Sequence, residues 1–393
     1  MGDADSLKLS ALCLLFLSLM GSPALGQGER VCGLCENDPE LMAKNGFVHQ
    51  PFPFGRSTNE KIAKDLFWPA AWLETPHFRI GINLEPWKVP QSEKKIYKAE
   101  LEALQDRWPA IRPKIPVLDM DLRLHLVAER AESFYREFVV LMGMREEDFT
   151  DDEANTMSGW GRFLGERDKF EIMVFQNAGP FREFMRNEWG LGYDKPQRWN
   201  NVDRDCLWIG VNLETEKIRH DRQLQNLLLH CLAHNFLDGF RHYSYELPVW
   251  ITEGFAHWAE QRNDPRFNLF DTVESTFREK KVLEKWAPEV RRMVAKKEAA
   301  SFASLLRRAS FAELEWEDHL VCWSKVDFLI AQGEGKFGRF MRSLKERRDK
   351  KGFPDGSHMD DAQRAAFREH FGWTVPKAEE VWKGWVLEEY PVK

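Results

Sequence analysis

The feature that most constrains this chain is a pair of histidines, His230 and His234, followed after 18 intervening residues by Glu253. Residues at positions i and i+4 of a helix project from the same face, so the two imidazoles can share one metal ion. A carboxylate from a following helix would complete a three-ligand site that keeps one coordination position open, as catalytic zinc sites do. The spacing therefore predicts a zinc site at His230, His234 and Glu253.

The residue directly after the first histidine is Cys231. In zinc peptidases with an HExxH motif, this position holds the glutamate that deprotonates the metal-bound water. The sequence thus predicts the ligands of such a site without its usual general base. A thiol beside zinc could act as a poor substitute base or could itself ligate the metal.

The histidine pair alone is weak evidence, because a chain with 11 histidines contains an HxxxH spacing by chance in about one case in three. The alternative is two core histidines with satisfied ring nitrogens. Two further observations favour a metal site. The pair lies in a mostly apolar segment, 221–240, that predicts a buried helix, and Glu253 lies at the required spacing in the segment 250–256, WITEGFA.

The composition excludes some classes of partner. The chain has 393 residues, 43% of them hydrophobic, which is enough material for a large packed core. Its formal net charge is −7, with acidic and basic residues interspersed. There is no basic patch of the kind that binds nucleic acid or an anionic membrane surface, so the sequence predicts neither as a partner.

The amino terminus resembles an export signal. An apolar run of 12 residues, Leu9 to Met20, is too short to span a bilayer, and small residues follow at 24–26. The sequence predicts a signal peptide over 1–26 and a secreted or periplasmic mature protein, with no membrane segment after cleavage. A retained anchor is the alternative, because Asp3 and Asp5 outnumber Lys8 in the leader.

Two cysteines, Cys32 and Cys35, follow the predicted cleavage point with CxxC spacing. Covalent haem attachment would require a histidine after Cys35, and Glu36 stands there instead. A redox dithiol would require a strand-helix setting that the local sequence lacks. The pair is therefore interpreted as a local disulfide or as two inactive thiols.

Hydrophobic periodicity predicts an α+β protein in three parts after the leader. Residues 27–75 are predicted to be an irregular N-terminal extension, 76–215 a lobe of strands and helices, and 216–393 a helical lobe that carries the metal site. Strands are predicted at 77–82, 170–175 and 206–212. Helices are predicted at 95–108, 122–142, 180–189, 221–240, 249–262, 271–297, 302–308, 318–331, 336–350, 360–371 and 378–389.

The HxxxH pair, the spacing to Glu253 and the WITEGFA segment resemble the gluzincin superfamily of zinc peptidases, the thermolysin and aminopeptidase N type. More narrowly, the course from Phe78 to about Glu389 is similar to uncharacterised peptidase-like domains of secreted bacterial proteins. That likeness includes Cys-Trp-Ser at 322–324 and Trp-Lys-Gly-Trp at 382–385. The resemblance implies a zincin-like fold, with the two ligand helices at a cleft between a small mixed sheet and a helical lobe.

By this resemblance His230, His234 and Glu253 are the zinc ligands, and Cys231 occupies the degenerate base position. His257 falls where relatives often carry an acid that orients a ligand histidine, and Asp238 could supply that acid instead.

The resemblance also implies an oxyanion stabiliser from a later part of the chain, with His319 as the candidate and Tyr243 and Tyr245 as alternatives. The strand Cys206–Asn212 is expected to border the cleft, where a peptide or protein segment in an extended conformation could add to the sheet.

Three functions remain open from the sequence. The protein could be an active metallopeptidase that recruits another base, such as Glu260 or Glu246. It could bind zinc but have impaired or absent peptidase activity. It could also be a metal-free structural or interaction protein. A cysteine peptidase with Cys231 as nucleophile and His257 or His319 as base is disfavoured, because a buried helix is a poor place for an attacking thiolate.

Overall fold

A five-stranded mixed sheet forms the N-terminal part of the fold, and a largely helical region follows it. The computed structural model describes residues 31–49, 70–150, 159, 161–268 and 285–392. The strand order in the sheet is β1-β2-β5-β7-β6, and a separate pair, β3 and β4, forms a second small sheet. The strands are β1 Ala71–Glu74, β2 Phe78–Asn83, β3 Trp87–Lys88, β4 Val117–Leu118, β5 Phe170–Phe175, β6 Gln197–Asn201 and β7 Cys206–Asn212.

The three central strands, β2, β5 and β7, run parallel to one another, and β1 and β6 are antiparallel at the two edges. Every residue of β5 and β7 is buried. Strands buried on both faces are expected to be continuous apolar runs, which explains why the sequence predicts their bounds correctly. The expectation of an α+β fold with a mixed sheet is confirmed.

One expectation about the sheet is wrong. The strand Cys206–Asn212 was expected to border the cleft as an edge strand, but it pairs with β5 on one side and β6 on the other. Its backbone is therefore not available to a peptide. The neighbouring edge strand is β6, whose polar sequence, QRWNN, gives no apolar alternation and was not recognised as a strand.

The helices match the predicted segments closely, and several begin or end within a few residues of the predicted bounds. They are α1 Pro39–Asn45, α2 Lys94–Gln105, α3 Met120–Leu141, α4 Ala178–Trp189, α5 Asp221–Gly239, α6 Val249–Asn263, α7 Trp286–Lys296, α8 Phe302–Leu305, α9 Trp316–Ala331, α10 Lys336–Lys345, α11 Met359–Phe371 and α12 Val375–Glu389. Of the predicted helix 271–297, residues up to 284 lie outside the described part of the chain, as does the predicted signal peptide 1–26.

The region from 31 to 75 contains more regular structure than the predicted irregular extension. Helix α1 begins at a capping residue, Asp38, whose carboxylate accepts hydrogen bonds from two backbone N–H groups of the first turn. Val48 forms a β-bridge with Glu74, and β1 is an edge strand of the main sheet. Residues 50–69 lie outside the described part. The segment 31–49 is thus attached to the folded body through β1.

Helix α5 is buried on nearly all sides and packs against α6, and α6 in turn packs against α9. Gly254 permits the second of these contacts, because a Cβ atom at this position would lie 2.5 Å from the backbone oxygen of Cys322. Among the described residues, none of the helices is both long enough and apolar enough to cross a lipid bilayer.

Replacing Gly254 with alanine should separate α6 from α9, since the nearest atom that the new methyl group meets is the backbone oxygen of Cys322, which cannot rotate away. We expect Gly254→Ala to lower the free energy of unfolding by about 1–3 kcal/mol, measured by urea denaturation. Gly384→Ala is the matched control, because a Cβ on Gly384 meets no atom within 4 Å. The control should stabilise α12 by up to about 1 kcal/mol. Equal effects of the two changes would contradict close packing at Gly254.

Candidate metal centre

The predicted ligands converge at the contact between α5 and α6. His230 and His234 lie on one face of α5, with their ring centroids 4.9 Å apart. Glu253 lies on α6, and its Oε1 is 3.6 Å from Nε2 of His234. One ligand atom from each of His230, His234 and Glu253 can be chosen so that all three lie within 4.8 Å of one another. The structure therefore brings these three side chains together.

The donor set and the distances fit zinc. Two imidazole nitrogens and a carboxylate oxygen are ligands that zinc takes at about 2.0–2.2 Å, and a tetrahedral arrangement then places the N and O donors about 3.4 Å apart. The buried Nε2 of His234 has no hydrogen-bond partner within the part of the chain that the structure describes. An unpartnered buried imidazole nitrogen is costly unless it meets another donor or a metal.

More titratable side chains surround this triad. His257 on α6 contacts Glu260 through Nδ1, with an N···O distance of 2.9 Å, and His319 of α9 through Nε2, with an N···N distance of 3.0 Å. Two further groups could hold a metal ion: His230 with His257 and Glu260, and Glu253 with His257 and His319. The three groups overlap, so one cluster of six side chains offers alternative positions for a cation.

The three groups differ in their access to a cavity of about 570 Å³. His234 and Glu253 line it, together with Arg198 of β6, Asp238 and Glu246. His257, Glu260 and His319 are fully buried and are not among the residues that line this cavity. Of the three groups, His230, His234 and Glu253 is the one with two members, His234 and Glu253, on the cavity wall, so it is best placed to present a bound ion to the cavity.

Burial favours the neutral imidazoles that bind metals. It holds the pKa of His234 well below its ordinary value, and the positive charge of Arg198 and the proximity of His319 lower that pKa further. Burial is also the main reason why the pKa of His257 lies well below its ordinary range, with His230 as the next contribution. Neutral histidines can coordinate a cation without first losing a proton.

An acid other than Asp238 lies beside a candidate ligand histidine. Asp238 pairs with Arg198 at 3.2 Å and lies on the cavity wall. Glu260 instead lies close to a ligand, with its Oε2 3.6 Å from Nδ1 of His230. Glu253, His257 and Glu260 occupy positions i, i+4 and i+7 of α6, so they share one helix face. This spacing is visible in the sequence and is the signal that could have indicated that Glu260 lies near the candidate ligands.

The expected catalytic residues lie away from the cavity. Cys231 is 1% exposed and packs in the main hydrophobic core, and it belongs to none of the metal-binding groups found among the described residues. His319 contacts His257 rather than the cavity. Of the two alternatives, Tyr245 donates its hydroxyl to backbone oxygens of α10, and Tyr243 lines a neighbouring pocket with Asp238 and Glu246.

Comparisons of this chain with protein-family models and with curated proteins find no match. The chemistry open to the cluster must therefore follow from its own geometry. Two histidines and a carboxylate, with His234 and Glu253 on the wall of a cavity, could hold a divalent cation with an open coordination position. Glu246 is a candidate proton acceptor, because it lines the same cavity.

Three isosteric changes should locate the ion within the cluster. If zinc binds to His230, His234 and Glu253, Glu253→Gln removes a ligand and should weaken binding more than about 100-fold, whereas Glu260→Gln alters only the orientation of His230 and should cost about 10- to 100-fold. Glu246→Gln is the control and should keep an affinity close to that of the unaltered protein. Chelator competition measures all three. If Glu260→Gln weakens zinc binding more than Glu253→Gln does, the ion lies instead in the buried group of His230, His257 and Glu260.

Proposed function

We propose that this chain is an exported, gluzincin-like metallopeptidase homologue that binds zinc through His230, His234 and Glu253 and has impaired or absent peptidase activity. The observation that carries the proposal is the convergence of these three side chains from α5 and α6 beside a cavity, with His234 and Glu253 on its wall. A zincin-like arrangement, with the ligand helices between a mixed sheet and a helical region, accounts for this placement. Export rests on the leader-like segment 1–26, which lies outside the described residues.

The position of Cys231 supports the loss of activity. Zinc lowers the pKa of a bound water to about 7, so hydroxide formation does not require a carboxylate. Delivery of a proton to the leaving amine does require an acid-base group, and such help is typically worth about 10²- to 10⁴-fold in rate. The Cys231 thiol packs in the hydrophobic core and does not line the cavity, so it is too short to act there as the acid-base group. The cleft is therefore proposed to bind rather than to cleave.

The proposed ligand is an extended peptide or a protein segment, bound at β6 rather than at Cys206–Asn212. Strand β6 is an edge strand, so it can accept another strand. Its Arg198 reaches the cavity and pairs with Asp238, which connects this edge to the proposed metal site. Trp199 on the same strand is 40% exposed and offers an apolar surface to a bound chain.

One observation favours the active alternative. Glu246 lines the cavity together with His234 and Glu253, so it could accept a proton from a bound water. Glu260, the other base considered, is fully buried and contacts His257, which leaves it without access to the cavity. An active peptidase would therefore depend on Glu246.

Restoring the missing carboxylate tests the proposal directly. We expect the zinc-loaded wild-type protein to cleave unstructured peptides very slowly. Cys231→Glu places carboxylate oxygens two bonds beyond the position of the sulfur, towards the proposed metal site, and should increase the rate by about 10²- to 10⁴-fold. Cys231→Gln is the matched control, because it inserts a side chain of the same size into the same part of the core without a proton acceptor. The measurement is the cleavage rate of a quenched fluorescent peptide library, with thermal unfolding recorded for both variants.

Two results would contradict the proposal. A wild-type rate equal to that of Cys231→Glu, and abolished by Glu246→Gln, would show an active enzyme that uses Glu246. If gently purified protein contains less than about a tenth of an equivalent of zinc, the zinc-binding hypotheses are excluded and the protein is a metal-free structural or interaction protein.

A further inference from the structure

A second group of metal-ligating side chains lies apart from the cleft. Cys32, Cys35, His49 and His125 each offer one ligand atom, and all four atoms lie within 4.8 Å of one another. The two cysteines and His49 come from the N-terminal segment 31–49, and His125 comes from α3. Both thiols and His125 are buried. Two thiols and two imidazoles are the donor set of closed, structural zinc sites.

The turn that carries the cysteines is held in a shape suited to metal binding. The backbone N–H of Leu34 donates to Sγ of Cys32 at 3.4 Å. The N–H of Cys32 donates to the side chain of Asn37, and the N–H of Gly33 donates to Asp121 on α3. These contacts fix the CxxC turn against α3 before any ion binds.

His49 is held in the tautomer that a metal requires. Its Nδ1 lies 2.7 Å from the carbonyl oxygen of Trp72, so Nδ1 carries the proton and donates it. The lone pair is then on Nε2, which is buried and has no nitrogen or oxygen partner among the described residues. A carbonyl acceptor on the far ring nitrogen is the usual support for a histidine that binds zinc.

His125 of α3 contributes the remaining ligand atom of this group. Its Nε2 is 3.4 Å from Sγ of Cys32. Ligand distances of about 2.3 Å for sulfur and 2.0–2.1 Å for nitrogen place tetrahedral S and N donors about 3.5 Å apart. The ring packs edge-on against Trp108, with centroids 4.5 Å apart, and lies near Phe47. Water is thus excluded from this side of the group.

We propose that Cys32, Cys35, His49 and His125 bind a structural zinc ion that attaches the segment 31–49 to α3. This proposal replaces the sequence-based interpretation of the cysteines as a local disulfide or inactive thiols. Both cysteines are free in the structure. A disulfide would also leave the buried Nε2 of His49 without a partner, whereas a zinc ion would bind the two sulfurs and the Nε2 atoms of His49 and His125 together. The site is independent of the function proposed for the cleft.

Cobalt substitution distinguishes this site from the cleft. We expect the whole chain, stripped of metal and reloaded with Co²⁺, to show thiolate-to-cobalt charge-transfer absorption in the near ultraviolet, because among the metal-binding groups of the described residues only this one has two sulfur donors. Cys32→Ser should weaken the band strongly and lower the zinc content by about one equivalent per chain. Cys206→Ser is the matched control, since Cys206 is another buried free thiol outside all the metal-binding groups found in the described residues.

The wild-type spectrum remains decisive even if Cys32→Ser does not fold. A Co²⁺-loaded wild-type protein without a charge-transfer band would overturn the structural site, whatever its zinc content. A band abolished by Cys231→Ser would also overturn it, by assigning the thiolate to the cleft. Intact mass under denaturing conditions tests the disulfide, and a Cys32–Cys35 bond would contradict the proposal. If the cleft does not bind zinc, the charge-transfer band of the structural site remains unchanged. The experiment therefore distinguishes failure of the structural site from failure of the function proposed for the cleft.

Discussion

The close contact of α6 with α5 on one side and α9 on the other is the constraint on which the candidate metal centre depends. Gly254 lets the backbone of α6 approach that of α9, and this approach aligns Glu253 and His257 with His319. The same helix presents Glu253 and Glu260 to the two histidines of α5. Six polar side chains are thereby gathered in a region that is otherwise apolar. Burial of so many titratable groups is costly unless they bind one another or an ion.

The cluster divides into two parts with different access to solvent. His234 and Glu253 meet the cavity, whereas His257, Glu260 and His319 lie behind them and contact one another. The enclosed part can orient His230 through Glu260, since a ligand histidine is held best when its second nitrogen meets an acceptor. The cavity part can hold an ion with an open position. What this arrangement lacks is a carboxylate at position 231, where a buried thiol packs in the core. Candidate ligands without a carboxylate at position 231 favour the proposed binding role over a catalytic one.

Sequence reasoning was most successful where a short apolar run determines the structure by itself. Strands β5 and β7 have the predicted bounds because each is a continuous apolar segment buried on both faces. Strand β6 was missed because Gln197–Asn201 is polar and becomes a strand only through its pairing with β7. That omission caused the wrong assignment of Cys206–Asn212 as the edge of the sheet. Local pattern carries no information about which strand lies beside which.

The candidate site shows the same limit. The spacing of His230, His234 and Glu253 is visible in the sequence, because two of the ligands share one helix. The contact of His257 with His319 and the grouping of Cys32 with His125 depend on how distant elements pack, and no local spacing encodes them.

Anomalous diffraction at the zinc absorption edge, from crystals of protein purified without chelators, tests the central claim most directly. The account predicts a peak within about 2.0–2.2 Å of ligand atoms from His230, His234 and Glu253, on the side that faces the cavity. Absence of a peak there, or a peak enclosed between His257, Glu260 and His230, would contradict it.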